Sequence, residues 1–214
     1  IRYHPSQRLQ KSAPAFEPNL IRLESDLFLD HLRGQNLMKF YQQTGEWDDL
    51  PFIDVDRLIR VRPDEDVVRE LVQALKGKQV LRICYQSKHD EETRDISPHH
   101  LVFADHRYHV RAFCHVRQKY RDFVLTRILD VQQNSKLEWI SAEQDEDWNQ
   151  KVVLCFRPNP ELPLSAQQAM TDDFRLKADG ILKVETNAAL AYYVRRELQK
   201  QDSEYNISRW MEVK

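Results

Sequence analysis

The chain is predicted to be an α+β protein, with a small curled antiparallel sheet or barrel followed by a unit of order β-α-β-β-α-β. Three observations carry this. Residues 107–114 and 120–128 alternate with a period of two, as half-buried strands do. With the runs just before them they crowd four or five short strands into about 55 residues, the size of a small barrel. Beyond a polar, acidic stretch at 143–150, strand and helix patterns then take turns to the C-terminus.

Taken in order, residues 1–62 are punctuated by Pro5, Pro14, Pro18 and Pro51, with Pro63 just beyond. They read as an irregular connector holding one short helix, with Ser25 as N-cap and Gly34 just past its end. A stronger helix runs from Asp64 to Lys76. Asp64 caps it, Glu65 and Asp66 suit its positive end, and Val67, Val68, Leu71 and Leu75 form an apolar stripe that Gly77 stops. Strand formers at Val80, Ile83 and Tyr85 give a first strand at 80–85. A charged turn at 88–93 leads to a second strand, 96–104, opened by Pro98. In 107–114, Tyr108, Val110, Ala112 and Cys114 share one face while His109, Arg111 and Phe113 share the other. In 120–128, Arg121, Phe123, Leu125 and Arg127 share a face.

In the C-terminal part, 152–156 is a strand, 165–170 a helix, and 174–177 with 181–185 a hairpin turning at Asp179-Gly180. Asn187 caps a helix whose Leu190, Val194 and Leu198 share a face, and 205–213 closes as a last strand. This order is that of a ferredoxin-like split unit.

Composition narrows the function classes. With 41% hydrophobic and 31% charged residues and no apolar run of bilayer length, the chain reads as a soluble globular protein without a membrane partner. It opens at Ile1 with no signal-like segment, which suggests a piece of a longer cytoplasmic protein. Cys84, Cys114 and Cys155 lie in apolar strand-like runs and read as reduced thiols. Only four glycines exist, none close enough together to cradle phosphate, and there is no Gly-x-Ser-x-Gly, His-Glu-x-x-His or Cys-x-x-Cys. No enzyme, cofactor or metal site is therefore expected. Glu91-Glu92 and Asp145-Glu146-Asp147 read as solvated turns.

Charge is unevenly spread although the net charge is only −2. Residues 94–127 hold seven Lys or Arg against three acids, and five of the eight histidines. Residues 138–214 hold ten basic residues against fourteen acids. An anion-seeking centre in an acidic chain points to a binding surface. Arginines and histidines interleaved with aromatic rings are expensive to bury unless they meet an anion or water. Two readings of the arginines stay open. They grip a ligand, or Arg127 pairs with Asp130 and Arg121 with Asp105 or Asp122. The separation of Arg121 and Arg127, ~20 Å along a straight strand, allows one small ligand only if the strand curls.

Ile83-x-Tyr85, Arg94 to Pro98, Tyr108-His109-Val110 and Tyr120-Arg121-Asp122-Phe123 with Arg127-Ile128 together resemble a WYL domain, with Tyr108-His109-Val110 standing where that family has Trp-Tyr-Leu. The flanking Arg111-Ala112-Phe113-Cys114 is similar to the branch of bacterial transcription regulators that control phage-defence operons, which implies a repressor. Arg2-Tyr3-His4-Pro5 resembles the stretch that follows a winged helix-turn-helix there, and 152–214 resembles their dimerising extension. The resemblance implies a connector at 1–66 behind an absent DNA-binding head, an Sm/SH3-like ligand-sensing barrel at 67–135 and a dimerisation domain at 150–214. It also implies a homodimer, operator DNA bound through the missing head, and a single-stranded nucleic-acid or nucleotide effector. The residues matching the pocket are Tyr85, His100, His109, Arg111, Arg121 and Arg127. A guanidinium fork suits phosphate, histidines add donors, and Tyr85, Tyr108 or Phe123 offers a stacking face. A metabolite sensor and a purely structural dimerisation module are the competing readings.

Overall fold

The computed structural model describes residues 2–4, 9–11, 55–59 and 61–213, in two compact units, Ile1–Arg60 and Val61–Lys214. In the first, β1 (Arg2–His4) pairs antiparallel with β2 (Leu9–Lys11), and α1 spans Val55–Ile59. The helix expected between Ser25 and Gly34 lies outside the described residues.

The second unit opens with α2 (Glu65–Gly77). The Asp64 carboxylate accepts from the N–H groups of Asp66 and Val67 at 2.9 and 3.2 Å, and Val67, Leu71 and Ala74 are buried. The helix runs through Gly77, and the left-handed residue that ends it is Lys78, at φ 51°.

Five antiparallel strands follow in the spatial order β6-β5-β4-β3-β7. They are β3 (Leu81–Gln86), β4 (Glu91–Ala104), β5 (Arg107–Cys114), β6 (Lys119–Val124) and β7 (Ile128–Gln133). Pro98 lies inside β4, not at its start. The β4–β5 register shifts there, between Pro98 and His100, and a bulge tolerates the missing N–H. Asp105 and His106, both at positive φ, make the tight β4–β5 turn.

The expected single strand at 120–128 is instead two strands on opposite edges of the sheet. A 3-10 turn, Leu125–Arg127, ends β6 and feeds β7, which pairs with β3. The edges of a flat five-stranded sheet stand ~19 Å apart, whereas a 3-10 turn advances only ~2 Å per residue. The sheet therefore curls. Its concave side buries Leu81, Ile83, Ile96, Val110, Ala112, Cys114, Phe123 and Leu125 against α2.

In the C-terminal part, a 3-10 turn (Ala142–Gln144) and the short α3 (Glu146–Asn149) precede β8 (Lys151–Pro158), α4 (Leu164–Asp173), β9 (Leu182–Asn187), α5 (Ala188–Leu198) and β10 (Trp210–Val213). The sheet order is β10-β8-β9, all antiparallel. This β-α-β-α-β order is one strand short of the expectation, because residues 174–177 form no strand. The Phe174 N–H still bonds back to Met170, its ring packs edge-on against Trp210 at 4.8 Å, and Arg175 turns the chain at φ 48°. Asp179-Gly180 does turn as expected, with Gly180 at φ 63°. Asn187 precedes α5 but accepts from Lys151 Nζ at 2.6 Å instead of capping the helix. Leu154, Phe156, Leu162, Met170, Ala191 and Trp210 form the second core. Among the described residues, no helix is long and apolar enough to cross a membrane.

Candidate ligand-binding site

Strand register sorts the charged residues of the curled sheet onto two faces. Residues directly opposite each other share a face. Arg111 faces Asp122 and Phe113 faces Tyr120, on the convex side; Val110 faces Phe123 and Ala112 faces Arg121, on the side that holds the core. Arg111 and Arg121 therefore point to opposite sides of the sheet, and the expected convergence of all six candidates on one patch does not occur.

The convex side is filled from within the chain. Arg111 is only 6% exposed. Its Nε and Nη2 donate to the two Asp145 oxygens at 2.8 and 2.9 Å, and its Nη1 donates to Asp122 at 3.3 Å. Asp145 is itself buried and accepts from the Trp148 N–H at 3.3 Å, so one carboxylate both holds the arginine and starts α3. The other Asp122 oxygen accepts from the Tyr193 hydroxyl at 2.9 Å. Burial alone lowers the Arg111 pKa, but the Asp145 and Asp122 carboxylates outweigh it and raise the pKa overall. Burial, then Asp122, also raises the Tyr193 pKa.

Histidines complete this seam. His109 is buried against the Tyr193 ring at 5.3 Å, with Nδ1 3.2 Å from the Arg107 carbonyl, and burial lowers its pKa. His100 is exposed and lies against the Trp148 ring at 4.3 Å, its pKa likewise lowered by burial. His99, which the sequence did not single out as a pocket residue, is packed among Tyr120, Trp148 and His100. Burial, then the neighbouring His100, pushes its pKa down to about 4 despite Asp145 nearby. Its Nε2 stands 3.3 Å from Asp145 yet makes no aligned hydrogen bond among the described residues. The segment between the two parts is docked as well. Trp139 Nε1 donates to the Pro98 carbonyl at 3.0 Å, and the Tyr120 hydroxyl to the Ser141 carbonyl at 2.5 Å.

Tyr85 is buried and structural. Its hydroxyl accepts from the Val124 N–H at 3.2 Å and its ring meets Phe123 edge-on at 5.2 Å. Arg121 is exposed on β6 and Arg127 half-buried in the 3-10 turn. Neither pairs with a carboxylate among the described residues, whereas Arg82 pairs with Asp95, Arg94 and Arg117 with Glu92, and Arg107 with Asp105. The pairings of Arg121 with Asp105 or Asp122, and of Arg127 with Asp130, do not form: Asp122 serves Arg111 and Tyr193, and Asp105 serves Arg107 and Arg196. Tyr108, on the same face as Val110 and Ala112 by alternation, is 54% exposed and pairs with the Phe103 ring at 4.9 Å near the β4–β5 turn.

Of the residues that hold this seam, the sequence reading missed Asp145 and Tyr193, and it gave Asp122 to Arg121 where the structure gives it to Arg111. Asp145 was expected in a solvated turn. The available signal was Arg111 itself, since an arginine in the middle of a buried strand requires a carboxylate from elsewhere. No cluster of described residues has the composition of a metal site.

Two family descriptions match this chain: a WYL domain over residues 66–133, and the C-terminal dimerization domain of the BrxR transcriptional regulator over residues 151–208. A DNA-binding transcriptional repressor CapW of Escherichia coli (strain KTE188) is 31% identical over 199 residues, covering 91% of this chain and 65% of that protein. CapW repressors of Stenotrophomonas maltophilia and Pseudomonas aeruginosa are 28% and 34% identical over 207 and 146 residues, covering 92% and 67% of this chain and 66% and 48% of theirs. The chain thus spans just under two thirds of these relatives at most. Among solved structures, proteasome accessory factor B/C of Arthrobacter aurescens matches at 22% identity with a TM-score of 0.35, over 59% of this chain and 22% of that one.

Proposed function

We propose, from the premise that this chain belongs to the WYL-domain transcriptional regulators and carries their BrxR-type C-terminal dimerization domain, that it is the sensing and dimerising part of a bacterial repressor of a phage-defence operon. Operator DNA is then read by the part of the relatives' length that this chain does not span, and residues 67–135 and 150–214 act as sensor and dimer-former. The effector is an anion, a single-stranded nucleic acid or a nucleotide, held at Arg121 and Arg127. One observation supports this reading: among the described residues, Arg121 and Arg127 lack a carboxylate partner, while Arg111, His109 and His100 are engaged within the chain. A free guanidinium offers phosphate a planar, two-bond fork. The exposed Phe103–Tyr108 ring pair adds a surface on which bases stack.

The finer fold reading belongs with this proposal. The helix-led, curled five-stranded sheet suits an Sm-like barrel, and the three-stranded sheet suits a ferredoxin-like unit lacking one edge strand. A second reading, a structural dimerisation module, is favoured by the internal satisfaction of Arg111. Native mass spectrometry of the purified dimer separates the two. A copurifying nucleotide or oligonucleotide, released by salt, supports the sensor. An unliganded dimer that binds no oligonucleotide at low salt supports the module.

A further inference from the structure

Strand β6 carries the two faces of the sensor side by side. Arg121 stands opposite Ala112 on the face shared with the core, and Asp122 stands opposite Arg111 on the reverse face. Asp122 is also where the sheet meets the C-terminal helix α5, through the 2.9 Å bond from the Tyr193 hydroxyl. That helix belongs to the dimerisation part: Ala191 and Val194 pack in the second core, and Arg195 holds Glu212 of β10 through bonds of 2.9–3.2 Å. Within the seam, the two bonds joining Arg111 to Asp145 are 2.8 and 2.9 Å, whereas its single bond to Asp122 is 3.3 Å. Asp122 is therefore held closely by Tyr193 and only loosely by Arg111, so a displacement of β6 bears on α5 more than on the Arg111–Asp145 pair.

We infer that Asp122 and Tyr193 are positioning residues that relay occupancy of Arg121 to the dimerisation domain. The inference rests on the effector reading above. An anion gripping Arg121 draws on the same strand whose next side chain holds Tyr193, so bound and free states differ in whether the Asp122–Tyr193 bond is kept. Coupling of this kind is reciprocal: whatever the effector does to dimer affinity, dimerisation does to effector affinity.

The test uses the whole chain and a short fluorescein-labelled oligothymidylate. Dimer dissociation constants are measured by sedimentation with and without saturating oligonucleotide, for wild type, Tyr193→Phe and Asp122→Asn. Tyr193→Phe removes one hydroxyl and keeps the ring that packs on His109. In wild type the oligonucleotide shifts the dimer constant by roughly 10-fold, within the usual range of allosteric coupling. In both variants the shift falls to within about twofold of none, while the oligonucleotide still binds at Arg121. A purely structural role would change the dimer constants with and without oligonucleotide alike and leave their ratio as in wild type, and that result overturns the relay. Absence of any oligonucleotide binding to wild type overturns the effector reading and the relay with it.

Discussion

Replacing Asp145 by alanine strips the buried Arg111 of its two shortest hydrogen bonds, at 2.8 and 2.9 Å, and removes the side-chain acceptor that the Trp148 N–H reaches at 3.3 Å, leaving it the backbone carbonyl of residue 145 at 3.0 Å. Breaking one side of a buried ion pair costs about 3–5 kcal/mol, because a desolvated charge is left behind. Asp122 remains 3.3 Å from Arg111 and places the ionic loss at the lower end of that range. The lost cap adds about 1 kcal/mol. The expected destabilisation is therefore about 4 kcal/mol, a fall in Tm of roughly 8–16 °C for a unit of this size. Urea titration and thermal melting of Asp145→Ala measure it, with Asp147→Asn as the control, since Asp147 is 71% exposed and 4.0 Å from Arg111. The control should move by less than about 0.5 kcal/mol. Adding Arg111→Met with Asp145→Leu removes both charges, so the pair should be less destabilised than the two single changes combined by about 2 kcal/mol. Additive effects, or an Asp145→Ala loss below about 1 kcal/mol, refute the claim that Arg111 is held by Asp145.

Stability should also depend on pH through the histidines. His99 protonates near 4 in the folded chain and near 6.5 when unfolded, so between those values the unfolded state binds more protons. Stability then falls as pH drops from about 6.5 to about 4, reinforced by the lowered pKa values of His100, His109 and His115. Urea midpoints across that range should show a shallower slope in His99→Phe, and an unchanged slope contradicts the burial of a neutral His99. Lys78 holds a left-handed conformation at φ 51°, so Lys78→Gly should stabilise the chain by up to about 1 kcal/mol, read as a raised Tm.

Local chemistry made much of the fold legible. Asp64 announced α2 because its cap, acidic first turn and apolar stripe are all encoded within a few residues, and the alternation of 107–114 set β5 to the residue. Alternation misled at 120–128, because the buried Leu125 keeps the two-residue period through a 3-10 turn that moves the chain to the opposite edge of the sheet. The β-α-β-β-α-β reading failed at 174–177 because Phe174 finds its partner in Trp210, thirty-six positions on, and no local pattern records that. The seam was hidden for the same reason. Arg111 was visible as a cation in a strand, but Asp145 lies 34 residues away, and Tyr193, on a helix that packs in the second core, lies 71 residues from Asp122. From sequence alone, Arg111 and Arg121 looked equivalent, and only the β5–β6 register separates the arginine that binds the chain to itself from the one left facing solvent.

That separation is tested most directly by the salt dependence of oligonucleotide binding in wild type and in Arg121→Ala/Arg127→Ala. Each phosphate contact to a single strand contributes a slope of about −0.7 to the dependence of log affinity on log salt. The double variant should lose about 1.4 of slope at unchanged melting temperature. An identical slope, with binding lost only when the Arg111 seam is broken, would place the anion on the opposite face of the sheet.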